Sequence, residues 1–259
     1  MFGLFRKKKT IPLSGLVDFH NHLVSGIDDG ALSEEESLAM MQHYVDAGYT
    51  TVCVSSHLHH PMFPDVTVEA IRQGVQRLRE LATEAQLPLK IEVGAEHFVS
   101  DHFLEGMESG DLLPVADGKY LLVEFSLHDP MMHMKELAFQ LSVKGYHPIL
   151  AHPERYPTLQ RKPELAEEWR QAGWHFQLNL ATLISKSGLK KLAKRWLKQS
   201  HYDLAATDLH HTPPYEGWLT ELTDELQRLT SHEEANRLLI TNPKRLLTGQ
   251  PMLRFFEDD

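Results

Sequence analysis

The sequence is poor in cysteine, with Cys53 as the single thiol among 259 residues. One thiol excludes an internal disulfide framework and is typical of a reducing compartment, so we expect a cytoplasmic protein. A phosphate-binding Cys-x5-Arg loop that began at Cys53 would require an arginine where the chain has His59. The lack of that arginine excludes cysteine-based phosphatase chemistry.

Long apolar runs and an excess of positive charge are also missing. No run approaches the roughly 18 apolar residues of a membrane-spanning helix. The apolar opening precedes the basic cluster Arg6, Lys7, Lys8 and Lys9, which reverses the order of a signal peptide. With 26 basic and 36 acidic residues, the formal net charge of −10 argues against a nucleic-acid partner. We predict that residues 1–14 form a tail whose basic cluster makes at most a weak contact with an anionic membrane.

Two common catalytic motifs are absent as well. The chain has no Gly-x-Ser-x-Gly sequence, which argues against a serine hydrolase of the α/β type. The glycine-containing segment 26–30 lacks both the Gly-Lys-Ser/Thr of a P-loop and the spacing of a dinucleotide-binding loop. Histidine, in contrast, is abundant, with 17 residues. The positions of these histidines therefore decide what chemistry is available.

Short apolar runs alternate with helix-length amphipathic segments, which is typical of βα units that form a parallel sheet. Ser33 and Glu36 form a capping box at the start of the first predicted helix. The predicted strands are residues 16–19, 50–54, 89–93, 120–125, 148–151, 175–178 and 203–206. Seven units predict a single α/β barrel domain at 15–250 followed by a tail at 251–259, with a doubly wound open sheet as the alternative.

Each predicted strand has a ligating or hydrogen-bonding side chain at its carboxyl end or within the next few residues. In chain order these are His20 and His22, then His57, Glu96, Glu124, His152, Asn179, and finally Asp208 with His210. Active sites of barrels lie at the carboxyl ends of the strands, because the βα loops converge there. The repeated position of these residues therefore predicts one shared site.

The spacing within this set favours metal binding. His20 and His22 are two residues apart, so both side chains lie on one face of a strand, and Asp208 and His210 repeat the spacing. Nine candidate ligands exceed the four to six that one ion needs and suit two or three divalent ions. The candidates are His20, His22, Asp29, His57, Glu96, Glu124, His152, Asp208 and His210.

A centre of this kind suits an anionic phosphate substrate. Three divalent ions against four carboxylates would leave a local charge of about +2. A water acidified by the ions could attack a phosphate monoester in line. Arg155 can bind phosphate with two parallel N–H groups, although an ion pair with Glu154 or another surface acid is the alternative.

The ordered motifs resemble those of the PHP (polymerase and histidinol phosphatase) superfamily, and within it the bacterial CpsB/YwqE-type protein-tyrosine phosphatases. The resemblance runs from about Asp18 to Leu247 and includes a closing Thr-Asn-Pro-Lys-Arg segment at 241–245. The matching motifs are Asp18-x-His20-x-His22, Asp28-Asp29-Gly30, Ser-Ser-His57, Gly-Ala-Glu96, Glu124-Phe-Ser, Ala-His152-Pro-Glu-Arg155 and Asp208-x-His210.

The resemblance implies a distorted (β/α)7 barrel with a trinuclear site that favours Mn²⁺, although Fe, Zn or Mg could also bind. It implies hydrolysis of phosphotyrosine, with the tail of a polysaccharide-export tyrosine kinase as the substrate. The ligand sets that it implies are His20, His22, Glu96 and Asp208 for one ion, a bridging Glu96 with Glu124 and His152 for a second, and Asp29, His57 and His210 for a third. Arg155 would bind phosphate, so we predict Arg155, Asp208 and His210 as catalytic.

One position departs from some members of the family. They carry a second arginine shortly after the Asp-x-His motif, where this chain has His211. We therefore regard His59, His60 and His211 as candidate phosphate-binding residues. The other functions that we consider are a small-molecule phosphomonoesterase of the histidinol-phosphatase type, a metal-dependent amidohydrolase and a catalytically silent scaffold.

Overall fold

The computed structural model describes residue 11 and residues 13–254. The basic cluster Arg6–Lys9 lies outside these residues, as do most of the predicted tails at 1–14 and 251–259, so those predictions stay untested. No helix in the described part of the chain is both long enough and apolar enough to cross a membrane.

The described residues form nine strands, which pair in parallel throughout. One sheet has the order β1-β2-β4 and the other has the order β3-β5-β6-β7-β8-β9. The strands are β1 (Leu16–Asp18), β2 (Tyr49–Cys53), β3 (His57–Leu58), β4 (Lys90–Glu92), β5 (Glu96–Phe98), β6 (Tyr120–Glu124), β7 (His147–Leu150), β8 (His175–Asn179) and β9 (Leu204–Ala206).

The chain closes on itself where the ends of β9 and β1 meet. The Asp208 amide donates to His20 O at 2.8 Å, and the His22 amide donates to Leu209 O at 2.9 Å. A parallel bridge pairs Asn21 with Leu209 between them. This closure confirms the predicted α/β barrel and shows that the open doubly wound alternative is wrong.

Helices follow the strands and cover the outside of the sheets. The Ser33 side chain accepts from the Glu36 amide at 3.3 Å, so the predicted N-cap is confirmed. The Glu36 side chain accepts from the Leu32 amide at 2.9 Å and not from the Ser33 amide, so the reciprocal bond of the predicted capping box is displaced by one residue. The helices are α1 (Glu34–Asp46), α2 (Val68–Glu84), α3 (Asp101–Ser109), α4 (Met134–Val143), α5 (Pro157–Arg161), α6 (Leu165–Gln171), α7 (Leu189–Lys198), α8 (Trp218–Leu229), α9 (His232–Asn236) and α10 (Asn242–Leu247).

A short break and a further strand follow each of the predicted strands at 50–54 and 89–93. The chain leaves β2 after Cys53 and enters the second sheet as β3, and between them Ser55 exchanges hydrogen bonds of 2.8–2.9 Å with the Asn21 backbone. The break between β4 and β5 contains Gly94, where a Cβ would lie 3.1 Å from Cys53 Sγ and from Val54 O. Because of the two breaks, His57 lies on β3 and Glu96 on β5, past the carboxyl ends of β2 and β4. The two residues are register partners in the second sheet.

The hydrophobic core has an inner and an outer part. Phe19, Cys53, Leu122 and Ile149 are fully buried members of a small cluster that comes largely from the strands. Burial raises the pKa of the Cys53 thiol, which makes it a packing residue with no thiolate character. The larger cluster lies between the sheets and the helices and contains most of the large buried side chains.

The close contact between α2 and the loop after β1 can be tested at Gly74. A Cβ at this position would overlap the methyl groups of Val24. Although alanine is favoured over glycine in a helix by about 1 kcal/mol, we expect Gly74→Ala to lower the unfolding free energy by about 1–3 kcal/mol because of overpacking. Urea denaturation measures this difference.

Gly188, at the start of α7, is the matched control. It has an ordinary helical φ of −62° and no heavy atom within 4 Å of its Cβ position. Gly188→Ala should therefore change the unfolding free energy by less than about 0.5 kcal/mol. If Gly74→Ala proves as stable as this control, the close helix contact is incorrect.

Candidate metal centre

The structure brings all nine predicted ligands together at the carboxyl ends of the strands. In each of four groups, the ligand atoms lie within 4.8 Å of one another. Three groups contain the ligand sets that the resemblance implies, with His22 added to the third, and the fourth is new. The groups are His20, His22, Glu96 and Asp208; Glu96, Glu124 and His152; His22, Asp29, His57 and His210; and His57, His60 and Glu124.

Glu96 lies at the centre of the arrangement and is 1% exposed. Its Oε2 is 3.2 Å from His20 Nε2 and 3.4 Å from His57 Nδ1, while its Oε1 is 3.2 Å from His152 Nε2. Burial would raise the pKa of Glu96, but the imidazoles of His20 and His152 hold it well below its usual value. A carboxylate that faces separate ligand groups with its two oxygens is suited to bridge two cations.

Several buried atoms of the cluster have no hydrogen-bond partner among the described residues. They include Nε2 of His20 and His22, Nδ1 of His57, and Oε1 of Glu96 and Glu124. His57 Nδ1 and Glu124 Oε1 are only 2.9 Å apart, yet they are not aligned as a hydrogen bond. Unpaired buried polar atoms are costly. Their convergence on shared points fits divalent cations, so the residues present suit the metals that the resemblance implies.

Hydrogen bonds behind the cluster set which nitrogen of each ring is available. His20 Nδ1 lies 3.0 Å from Gln177 Oε1, His22 Nδ1 lies 3.0 Å from Asp28 Oδ2, and His210 Nδ1 lies 3.0 Å from the Asp208 carbonyl oxygen. Each of these oxygens is a hydrogen-bond acceptor, so Nδ1 must carry the hydrogen and donate the bond. The Nε2 lone pairs then face the centre, as is usual for metal-binding histidines.

Asp28 and Gln177 were not predicted as site residues. Burial would raise the pKa of Asp28, but the hydrogen bond from His22 keeps it below its usual value. Gln177 Oε1 also accepts the His152 amide at 3.1 Å, so it positions two candidate ligands. Asp28 could have been predicted as a site residue from the Asp28-Asp29-Gly30 motif. Gln177 lies inside β8, and no motif around it indicates a role in the site.

Arg155 lies at the edge of the cluster. Its Nη1 is 2.8 Å from Asp208 Oδ2, and its side chain is 36% exposed. Glu154 turns the other way and is fully buried, where it accepts from the Asn179 amide and the Tyr202 hydroxyl. The alternative ion pair between Arg155 and Glu154 is therefore not formed.

His60 has the opposite ring arrangement to His20, His22 and His210. Its Nδ1 accepts the Met62 amide at 3.1 Å, so a neutral ring carries its proton on Nε2. That Nε2 lies 3.8 Å from Glu124 Oε1. Burial lowers the pKa of His60, which favours this neutral form. His60 therefore presents an N–H donor towards the cluster.

His59 and His211 are not brought into the cluster. His59 has a left-handed φ of 62°, and its ring packs against His97 and Phe103 at centroid distances of 5.7 and 6.1 Å. His211 is 53% exposed, with Nδ1 3.4 Å from Glu36 Oε1. Of the three candidate histidines, the structure places only His60 beside the predicted ligands.

Asp18 holds the strands that carry the cluster. Its fully buried carboxylate accepts hydrogen bonds from Asn21 Nδ2 at 2.9 Å, the Tyr44 hydroxyl at 3.0 Å and the Thr207 amide at 2.8 Å. These bonds join the end of β1 to α1 and to the end of β9. Asp18 is therefore a positioning residue for both ligand pairs at the barrel closure.

The comparisons with known proteins agree with this arrangement. The family model described as capsular polysaccharide synthesis, CpsB/CapC, matches residues 16–248. The tyrosine-protein phosphatase CpsB of Streptococcus pneumoniae is 27% identical, with 91% of this chain and 99% of that protein covered. YwqE of Bacillus subtilis, also named a tyrosine-protein phosphatase, is 25% identical over 92% of this chain and 94% of its own length.

A solved structure shows the same relationship in three dimensions. It belongs to a study of YwqE from Bacillus subtilis and CpsB from Streptococcus pneumoniae, described as metal-dependent tyrosine phosphatases. Its TM-score is 0.85 at 25% identity, with 93% of this chain and 97% of that chain covered. The family match, the relatives and the shared fold each span nearly the whole described barrel. The chain therefore belongs to the CpsB/CapC family of capsular polysaccharide synthesis proteins.

Proposed function

We propose that this chain is a metal-dependent protein-tyrosine phosphatase. The main support is the convergence of nine ligands around Glu96, with unpaired ligand atoms aimed at shared points. The names of its relatives support the phosphotyrosine specificity. We further propose Mn²⁺ as the native metal and two or three ions in the centre, because mixed imidazole and carboxylate ligands suit ions of this class.

The metals and the protein side chains would have different roles in the reaction. Divalent cations in the centre would lower the pKa of a water and neutralise the phosphate charge. Glu96 would supply one carboxylate oxygen to each of two ligand groups, while Gln177 and Asp28 keep the rings of His20 and His22 in the tautomer that leaves Nε2 free to bind. Asp208 joins the centre to the substrate, because one oxygen faces His20 and the other faces Arg155.

Two side chains would bind the phosphate group. Arg155 carries five N–H donors, and its contact with Asp208 uses only part of this capacity. His60 would supply a second donor through Nε2 and so replace part of the arginine that some relatives carry after the Asp-x-His motif. A neutral donor contributes less than a guanidinium, so Arg155 should dominate phosphate affinity.

The proposed physiological substrate is a phosphotyrosine segment of a polysaccharide-export tyrosine kinase. The description of the family as capsular polysaccharide synthesis supports this assignment. A cytoplasmic location is in keeping with the single buried thiol.

Chelation should abolish the activity. EDTA followed by desalting should remove phosphotyrosine-peptide hydrolysis, and added Mn²⁺ should restore it, with metal content measured on the same samples. Phosphoserine peptide and histidinol phosphate, assayed in parallel, should be much poorer substrates. Full activity in a sample shown to be metal-free would overturn the proposal, and a preference for histidinol phosphate would reassign the substrate.

Two buried histidines provide a matched test of the ligand assignment. His152 has a left-handed φ of 35°, which asparagine tolerates, so we choose His152→Asn. It should lower the metal content and reduce turnover by about 100-fold or more. His97 is equally buried but bonds only to backbone groups, through Leu122 O and the Leu113 amide.

His97→Asn should therefore keep the metal content of the natural chain and lose stability instead, by about 1–3 kcal/mol for broken buried hydrogen bonds. Thermal unfolding and elemental analysis separate the two effects. Equal loss of metal in both variants would show that His152 has no special role.

Phosphate binding can be tested apart from metal binding. Arg155→Ala should raise KM for a phosphotyrosine peptide by about 10–100-fold, since a charged hydrogen bond is lost, with metal content unchanged. His60→Ala should raise KM by up to about tenfold. His211→Ala is the control and should change neither value, because this side chain is exposed beside Glu36. If Arg155→Ala instead loses metal, its role is structural.

A further inference from the structure

Positive charge is concentrated in one segment of this acidic chain. Residues 169–202 contain none of the 36 acidic residues. Helix α7 lies in this segment and carries five basic side chains among its ten residues. They are Lys190, Lys191, Lys194, Arg195 and Lys198. A local surplus of this size creates a positive field close to α7 although the whole chain carries −10.

The apolar face of α7 fixes the orientation of its basic face. Trp196 is fully buried and packs against Phe176 and Tyr202 at ring-centroid distances of 6.1 and 6.0 Å. Lys190 pairs with Glu225 at 3.5 Å. The other four basic side chains form no ion pair with the residues that the structure describes. Their charge is therefore available to an anion.

Two adjoining cavities of about 540 and 530 Å³ lie along this face, and Lys191 and Arg195 line both. Gln160 lines the first cavity, and its Nε2 donates to the carbonyl oxygens of Arg155 at 2.9 Å and Glu154 at 3.1 Å. The basic groove, defined by Gln160, Lys191, Lys194, Arg195 and Lys198, thus begins at the turn that carries the proposed phosphate-binding residue.

We propose that the basic groove binds a second anionic group of the phosphotyrosine substrate. This group would be an acidic side chain or another phosphotyrosine in the same polypeptide. The inference rests on the proposed function, since it assigns the direction in which the substrate chain leaves Arg155. An extended peptide advances about 3.3 Å per residue, so the spacing between the two anionic groups should affect affinity.

The shape of the groove favours a peptide over a membrane surface. A helix that lies on a membrane exposes apolar residues beside its basic ones. In α7 the neighbouring Leu189 and Leu192 are half-buried in the wall of the first cavity. A concave surface with recessed leucines fits a polypeptide segment better than a flat lipid surface.

Charge reversal tests the inference. The substrates are p-nitrophenyl phosphate, a neutral phosphotyrosine peptide, and peptides with a second phosphotyrosine at increasing distance on either side. Lys191→Glu/Arg195→Glu should raise KM for the best doubly phosphorylated peptide by about tenfold. The values for p-nitrophenyl phosphate, and the metal content, should stay unchanged.

Lys90→Glu/Lys119→Glu is the control, because it makes the same charge change at the amino ends of β4 and β6. Equal KM for singly and doubly phosphorylated peptides in the natural chain would overturn the inference. So would lost binding to phosphatidylglycerol vesicles in the groove variant with unchanged peptide KM, which would indicate a membrane contact. A natural chain that hydrolyses none of the phosphate substrates would instead overturn the proposed function, and the inference with it.

Discussion

A buried carboxylate surrounded by imidazoles is the interaction on which the site depends. Glu96 and Asp208 both face His20, and neither carboxylate is exposed enough for water to compensate its charge. Burial lowers the pKa of His57, but the carboxylates of Asp29 and Glu124 outweigh this effect and raise it to about 11. The cluster therefore requires positive charge from protons or from divalent cations, which compete for the same lone pairs.

The barrel brings these charges together through a few long-range hydrogen bonds. Asp18 ties the ends of β1 and β9 to α1, and Ser55 joins the break after β2 to the backbone of Asn21. These bonds stabilise positions at which strands end or change register. Since Gln177 then orients His20 and positions the His152 amide, a small change in the barrel closure would alter several distances between the candidate ligands together.

The sequence predicted the barrel from local periodicity, and it predicted eight of the nine converging side chains because they stand near the ends of predicted strands. Asp29 lies in the loop before α1, outside this pattern. It could not predict the strand breaks, which depend on contacts between residues far apart in the chain. For the same reason the sequence could not distinguish His59 from His60 as a phosphate-binding candidate. β3 ends at Leu58 and His59 has a left-handed backbone, while His60 lies beside the cluster. Gln177 was missed for the same reason, since only folding brings it to His20.

The chain as a whole carries negative charge, whereas the proposed phosphate site would be positive. The two are compatible because electrostatic interactions in water weaken with distance. Charges in water are largely screened beyond about 10 Å at moderate salt, so the net charge of −10 acts weakly on a bound phosphate. Groups beside the phosphate would act strongly, and in the proposed function these are Arg155, His60 and the cations that the ligands would hold. The basic groove adjoins the turn that carries Arg155 through Gln160, so it would extend this positive field to the neighbouring residues of a substrate. A chain with an acidic surface can therefore select a highly anionic peptide, provided that its cations lie along the path of that peptide.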